Sequence, residues 1–190
     1  MKNKKGLIIA LAVIAVIVIF AGSIVSSYNN LVDERETVTN AQANIQTMLQ
    51  RRADLIPNLV NTVKGYAAHE EEVYTAIADA RSKLSGATTV DEMEKANSEL
   101  DSAISRLLVV VENYPELKAD TQFINLQDEL AGSENRISVA RKDYNDVAKA
   151  YNTHIKKFPA NIIASMFNFE QAEYFEASSE AQTAPSVNFD

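Results

Sequence analysis

The sequence predicts an all-α protein, in which an N-terminal transmembrane helix is followed by an elongated antiparallel helical bundle. Two observations predict the bundle. Two long segments carry apolar residues in heptad spacing, and the 190 residues include only 5 Gly and 4 Pro, the residues that interrupt helices. A long uncharged stretch near the N-terminus predicts the membrane helix. The length suits one ordinary domain.

Residues 1–27 are predicted to form a basic cytoplasmic stub and a transmembrane signal anchor. Residues 6–25 are uncharged and mostly apolar, and about 20 such residues cross roughly 30 Å of hydrocarbon. A cleaved secretory signal is the alternative, because Ala21-Gly22-Ser23 resembles a cleavage site. The apolar stretch resumes at Ile24, which favours the uncleaved anchor.

The basic residues around this stretch predict its orientation. Lys2, Lys4 and Lys5 precede it, whereas Arg35 is the basic residue that follows it closely. Lys and Arg are retained on the cytoplasmic side of a membrane. We therefore expect a single-pass protein with a cytoplasmic N-terminus and a body on the outer side.

Residues 28–158 are predicted to form the helical bundle. Alternating steps of four and three residues trace one seam from Leu31 to Tyr66 and a second from Phe123 to Phe158. Each seam corresponds to a helix of about 55 Å. Two shorter helices are predicted between them, at residues 70–84 and 90–113.

Local signals mark the ends of these helices. Thr89 and Glu92 have the spacing of a capping box at the start of the third bundle helix. Pro115 ends that helix, and Asp120 is placed to cap the last one.

Pro57 and Gly65 interrupt the first seam. Pro57 cannot donate a hydrogen bond to the carbonyl of Ala53, so a kink is expected there. A chain reversal near Gly65 gives four helices, with two long ones of matched length, and this is the favoured topology. In the alternative, the first helix runs on to Leu84 and the bundle has three helices.

Four charged residues fall within the apolar seams: Arg35, Arg52, Glu134 and Arg141. Their long stems could lie along the interface while the charged ends reach solvent. Alternatively, at least one Arg pairs with Glu134 across the bundle and so determines its register. A functional groove lined by these charges is a third possibility.

The C-terminal part is predicted to contain an apolar segment, residues 159–176, and a disordered tail, residues 177–190. Five apolar side chains of the segment are candidates for a membrane or bundle-end contact: Ile162, Ile163, Met166, Phe167 and Phe169. They either cover the open end of the bundle or enter the membrane interface. In the second case, Lys156 and Lys157 would face anionic headgroups.

The chain lacks the motifs of common enzyme classes, so no catalytic, cofactor-binding or metal-binding residue is predicted. The acidic body argues against a protein that reads nucleic acid. With 0 Cys and 2 His, the sequence excludes disulfides, thiol nucleophiles and three-histidine zinc sites. Tyr66 and Tyr151 precede His69 and His154 by three residues, where di-iron bundles carry Glu. No Gly-x-Ser-x-Gly turn or phosphate-binding loop is present.

Two strings closely resemble the signature of the bacterial LemA family. The first is LQRRADLIPNLV from Leu49, continuing with TVKGYA from Thr62, and the second is YPELKA from Tyr114, followed by Tyr144-Asn145 and Tyr151-Asn152. Two departures are Gln42, where such proteins often carry Trp, and Asn168, where Gly is expected. The resemblance implies an all-helical, membrane-anchored bacterial protein without an established enzymatic activity.

The sequence therefore predicts a non-enzymatic scaffold or interaction protein of the bacterial cell envelope, anchored in the cell membrane. Its expected partners are the lipid bilayer and either an unknown protein or a second copy of the chain. No cofactor and no nucleic acid are expected. The alternative is an envelope enzyme, or a subunit of one, whose site forms only with a partner.

Overall fold

The computed structural model describes residues 2–176, and within them the side chains of residues 6–8 and 10–176. The predicted disordered tail, residues 177–190, lies outside the described residues. Six helices follow one another in the described part of the chain, which contains no strand: α1 Lys2–Lys64, α2 Glu71–Gly86, α3 Val90–Val111, α4 Pro115–Lys118, α5 Thr121–Lys156 and α6 Ala160–Met166. The predicted all-α class is confirmed.

The chain forms two compact units. Among the described residues, unit 1 comprises residues 2–40 and 146–172, and unit 2 comprises residues 41–145 and 173–176. The domain limits expected from the sequence, at residues 27, 158 and 176, stay a prediction.

Unit 1 contains the apolar start of α1, the end of α5 and α6. One window of α1 has a mean hydropathy of 3.1 and is long and apolar enough to cross a membrane. Its large side chains are exposed, for example Phe20 at 68%, as side chains that face lipid are. The core of the unit lies beyond this window and includes Leu31, Val38, Ala148, Tyr151, Ile155 and Ile163.

Unit 2 contains the rest of α1, the helices α2 to α4 and the start of α5. The chain reverses after Lys64, as the favoured topology requires. Three contacts join α1 to the chain that follows the reversal. Lys64 Nζ of α1 lies 4.9 Å from the ring centre of Tyr74, the carbonyl of Ala53 in α1 accepts a hydrogen bond from Arg81, and Gln42 of α1 donates to the carbonyl of Thr88. Since residues of α1 are met in descending order, α2 is antiparallel to α1, and a three-helix bundle with a fused first helix is not formed.

The predicted caps are present in unit 2. Thr89 Oγ1 accepts from the Glu92 amide, and the Glu92 carboxylate accepts from the Thr89 amide, which completes the capping box. Hydrogen bonds from the Thr88 and Thr89 amides lower the pKa of Glu92. Asp120 Oδ1 accepts from the amides of Gln122 and Phe123, at 2.8 and 3.0 Å, and so caps α5.

The helices differ from the expected ones near their ends. Pro115 begins the short helix α4, because the first position of a helix needs no amide donor. Helix α5 ends at Lys156, and Phe158 is 80% exposed, so the second seam stops before Phe158. Asn168 has φ of 54°, a left-handed conformation that Asn tolerates better than most residues, so Asn can replace the Gly expected there.

Candidate functional site

A buried guanidinium joins three helices of unit 2. Arg52 of α1 is only 4% exposed. Its Nη1 donates to Asn97 Oδ1 at 2.7 Å and to Glu134 Oε2 at 2.5 Å, and its Nη2 donates to Asp101 Oδ1 at 2.5 Å. Asn97 Nδ2 also donates to Asp101 Oδ2 at 3.1 Å, so α1, α3 and α5 converge on one cation.

The chemistry of this cluster is that of a structural ion-pair network. Two carboxylates face one guanidinium, and their side chains are 44% exposed for Asp101 and 39% exposed for Glu134. Solvent therefore offsets the excess negative charge. Both Nη atoms already donate to these side chains, so the cluster positions three helices relative to one another.

The other charged seam residues lie elsewhere. Arg35 of unit 1 is exposed. Arg141 is half-buried, and its Nε and Nη2 have no hydrogen-bond partner within the described residues. Its guanidinium carbon instead lies 5.5 Å from the ring centre of Phe175, a cation–π arrangement. The structure thus places Arg52 and Glu134 together and leaves Arg35 and Arg141 out of that pair.

A second polar contact compensates for the proline inside α1. Pro57 has no amide hydrogen, so the carbonyl of Ala53, four residues earlier, loses its donor within the helix. Arg81 Nε of α2 donates to that oxygen at 2.9 Å. Ala53 is fully buried, where an unpaired carbonyl is costly, so Arg81 supplies the bond that Pro57 removes.

Extended backbone after α6 is bound by side chains of α5. In unit 1, Asn152 Nδ2 donates to the carbonyl of Ala172 and Oδ1 accepts from its amide, both at 2.8 Å, while the Tyr151 hydroxyl donates to the Glu170 carbonyl. Asn152 is 2% exposed. This reciprocal pair satisfies both polar groups of one backbone residue.

The same pair of residue types recurs in unit 2. Asn145 Nδ2 donates to the carbonyl of Phe175 at 2.8 Å, and Oδ1 accepts from its amide at 2.9 Å. The Tyr144 hydroxyl donates to the Glu173 carbonyl at 2.9 Å. Burial raises the pKa of Tyr144, which keeps the donating hydroxyl protonated. The signal for these contacts in the sequence is the Tyr-Asn pair repeated after seven residues, and its role was not foreseen.

The apolar segment around α6 has a buried and an exposed side in unit 1. Ile163 is 6% exposed, whereas Ile162 and Met166 are exposed and Phe169 is half-buried. Phe167 is 49% exposed, and its ring centre lies 4.8 Å from that of Tyr28. Phe169 also contacts Tyr28, at 5.7 Å. One of the five candidate side chains is therefore core, two contact Tyr28, and two face outward.

A surface groove of about 740 Å³ lies in unit 2. Its lining includes Gln46, Gln50, Arg51, Asp54 and Thr88, and none of the four charged seam residues. Gln50 Nε2 donates to Asp54 Oδ1 at 2.9 Å, so the acidic group in the groove is already bound. Across the described part of the chain, no group of three His, Asp or Glu residues is arranged to hold a metal ion.

Comparison with known proteins identifies one family. The model of the LemA family matches residues 41–189, which include the Arg52 cluster and both Tyr-Asn pairs. One relative, "Protein LemA" of Metamycoplasma hominis, is 29% identical over 152 residues, covering 79% of this chain and 69% of that protein.

Two further relatives are magnetosome proteins by name. "Magnetosome protein MamQ 2" of Paramagnetospirillum magneticum is 28% identical over 207 residues, covering 94% of this chain and 76% of that protein. "Magnetosome protein MamQ" of Magnetospirillum gryphiswaldense is 25% identical, covering 93% and 74%. The similarity to the MamQ proteins therefore extends over nearly the whole chain.

Proposed function

This chain belongs to the LemA family, and from that premise we propose that it is a non-enzymatic, membrane-anchored helical scaffold of the bacterial cell envelope. Its apolar N-terminal segment anchors it in the cell membrane with the N-terminus in the cytoplasm. The helical body lies outside and provides surfaces for a protein partner or for a second copy of the chain.

One observation in unit 1 carries this proposal. The membrane-length apolar window and the first core residues, Leu31 and Val38, belong to the same uninterrupted helix α1. A helix that enters the core six residues after Val25 leaves no flexible linker between the span and the folded part. This arrangement supports a protein that holds its body close to the bilayer.

The Arg52 cluster and the compensated proline support a structural role for the body. Both use polar side chains to join helices. We infer that the buried ion pair serves to fix the register of these helices, as buried polar groups do in some proteins. The groove in unit 2 contains Arg51 and Asp54 as its charged residues, without a cluster of acids and bases.

The orientation can be tested with single cysteines, because the natural chain has 0 Cys. Val109→Cys places a thiol at a side chain that is 68% exposed in the body, and Asn3→Cys places one in the basic stub. A maleimide that cannot cross membranes should label V109C in intact cells and N3C only after permeabilisation. The reverse pattern would contradict the proposed orientation.

The scaffold role can be tested by proximity labelling. A peroxidase is fused to the C-terminus of the full chain and, as a matched control, to a chain that ends at Asn40 and retains the membrane span. Proteins labelled by the full-length fusion but not by the control would be neighbours of the body. Identical sets of labelled proteins would show that the body recruits nothing, and would contradict the proposal.

A further inference from the structure

The side of α6 opposite its buried face exposes large apolar side chains. Phe158, Ile162 and Met166 are 80%, 51% and 68% exposed. Ile162 and Met166 are four residues apart and so lie on one face of the helix. Ala160, Ile163 and Ala164 occupy the opposite, buried face. We call residues 158–169 the α6 segment, and its exposed apolar side chains, Phe158, Ile162, Met166 and Phe167, its outer face.

The position of Tyr28 gives the depth of this face relative to a membrane. Residues 6–25 suffice to cross the hydrocarbon, and Tyr28 follows Val25 by three positions on α1, or about 4.5 Å along the helix axis. The headgroup layer on each side of a bilayer is about 5 to 7 Å thick. Tyr28 therefore lies in that layer, where Tyr is enriched in membrane proteins.

Aromatic contacts bring the α6 segment to the same depth. The ring centres of Phe167 and Phe169 lie 4.8 and 5.7 Å from that of Tyr28. All three residues belong to unit 1, as does the apolar window of α1. These contacts hold the C-terminal end of α6 beside a tyrosine that lies at headgroup depth when the span is inserted.

We propose that the outer face of the α6 segment inserts into the lipid interface of the same leaflet from which α1 emerges. The segment is then a second, peripheral membrane contact of this chain. The inference rests on the proposed anchor, because the depth of Tyr28 is defined only when α1 spans the bilayer. Lipid is the occupant because the exposed residues are Phe, Ile and Met, at a depth where the neighbouring molecules are lipids.

The charges near the segment are mixed. Lys156 and Lys157 are exposed at the end of α5 and can approach anionic headgroups. Glu170 follows the segment, and Glu34 of α1 binds His154 Nδ1 at 2.9 Å. The contact is therefore expected to depend mainly on apolar insertion, with a smaller contribution from anionic lipid.

The test uses the full chain, whose 0 Trp residues allow a single tryptophan to report its own surroundings. Met166→Trp reports the outer face, Phe20→Trp reports the span, and Asn40→Trp reports a site about 22 Å beyond Val25 along α1. Each variant is reconstituted into vesicles of phosphatidylcholine and phosphatidylglycerol, with or without bromine atoms near the headgroup end of the acyl chains. Bromine quenches only a tryptophan that reaches the lipid.

The expected result is quenching of M166W by at least about twofold, since interfacial helices bury their apolar face roughly 5 to 10 Å into the headgroup boundary. F20W should be quenched as well, and N40W should not. Unquenched F20W would overturn the anchor and with it the proposed function. Quenched F20W with unquenched M166W would overturn this inference alone.

Two further measurements keep the result unambiguous. Phe158→Trp is a second reporter on the outer face, in case Met166→Trp disturbs α6, and it should be quenched in the same way. A different outcome is blue-shifted emission of M166W and F158W without bromine quenching, with a shift that disappears on dilution with lipid. In that case a second copy of the chain covers the outer face, and the proposed lipid contact is wrong. Emission typical of water would also contradict it.

Discussion

Arg81 Nε donates a hydrogen bond of 2.9 Å to the backbone carbonyl oxygen of Ala53, a residue 28 positions earlier in the chain. That oxygen lacks its helical donor because Pro57 has no amide hydrogen. The side chain of one helix thus completes the backbone hydrogen bonding of another. The bond also lies where α2 returns along α1 after the reversal at Gly65.

We expect Arg81 and Pro57 to be energetically coupled. Arg81→Met should destabilise the chain by about 1 to 3 kcal/mol, because it leaves a buried carbonyl unpaired. In a Pro57→Ala background the cost should be smaller, since Ala at 57 can donate to Ala53 itself. Urea denaturation of the full chain in detergent, monitored by circular dichroism, measures the free energies of unfolding of the parent chain, the two single variants and the double variant.

Lys83→Met is the matched control for that cycle. Lys83 lies on the same helix in an exposed pair with Glu99, and such pairs contribute less than about 1 kcal/mol. An equal cost of Arg81→Met in both backgrounds would show that Arg81 does not compensate for the proline.

The Arg52 cluster is expected to tolerate the loss of one carboxylate but not of two. Glu134→Ala leaves Asp101 and Asn97 on the guanidinium, so the expected cost is about 1 to 3 kcal/mol. Asp101→Ala alone should cost about as much, because Glu134 remains. Removing Asp101 from the Glu134→Ala variant leaves a buried cation without a counter-charge, at a further cost of about 3 to 5 kcal/mol. The double variant should therefore cost more than the sum of the single ones.

Denaturation measurements on the two single variants and the double variant test this, with Glu99→Ala as the surface control. Additive costs, each below about 1 kcal/mol, would mean that the guanidinium is solvated in solution.

The C-terminal segment should detach when its asparagine contacts are removed. Asn152→Ala deletes both bonds to Ala172, and amide exchange at Ala172 is expected to accelerate about tenfold or more. Asn152→Asp retains the acceptor for the amide but places a carboxylate against the Ala172 carbonyl, so it should also accelerate exchange. Hydrogen exchange with mass spectrometry resolves this region.

Thr153→Ala, at the exposed neighbouring position, is the control and should leave exchange at Ala172 unchanged. Unchanged exchange in N152A would show that apolar packing alone holds the segment.

Asp120 makes the start of α5 sensitive to acid. The Phe123 amide and then the Tyr66 hydroxyl lower the pKa of Asp120 below its ordinary value of 3.8. A carboxyl whose pKa is depressed by folding stabilises the folded state above the unfolded pKa, and this contribution is lost as the pH falls through the folded pKa. Stability should therefore decline below about pH 4.

Asp120→Asn tests this, since Asn still caps a helix but does not titrate. The variant should lose less stability than the parent chain between pH 4 and pH 2, as measured by thermal melting, whereas Asp128→Asn on the exposed face of α5 should follow the parent. Identical acid dependence of D120N and the parent would assign the effect to other carboxyls, such as Glu92.

The accuracy of the sequence predictions varied with the distance over which the deciding interactions act. The caps at Thr89 and Asp120 were predicted correctly, because their partners lie two or three residues away. The second seam was predicted to extend to Phe158, beyond the end of α5, because heptad spacing does not show where the residues that pack against a helix end. The short helix α4 was not predicted, because a proline can follow the end of one helix or begin the next, and only the first role was considered for Pro115.

The candidate site was predictable in part. Heptad spacing drew attention to Arg35, Arg52, Glu134 and Arg141, since charged residues are unusual in apolar seams. It could not distinguish buried Arg52 from exposed Arg35. Burial depends on whether another helix covers that turn, and this information is absent from the pattern of a single segment.

The sequence by itself determined the helical class, the membrane-length segment, the approximate limits of the helices and their caps. These features depend on hydrophobic periodicity and on hydrogen bonds between near neighbours. The tertiary structure decided which charged side chain is buried, which donor serves the carbonyl of Ala53, and where the C-terminal backbone is bound. The physical reason is distance along the chain: Arg52 meets Asn97 after 45 positions and Glu134 after 82, and such pairings exist only once the helices have packed.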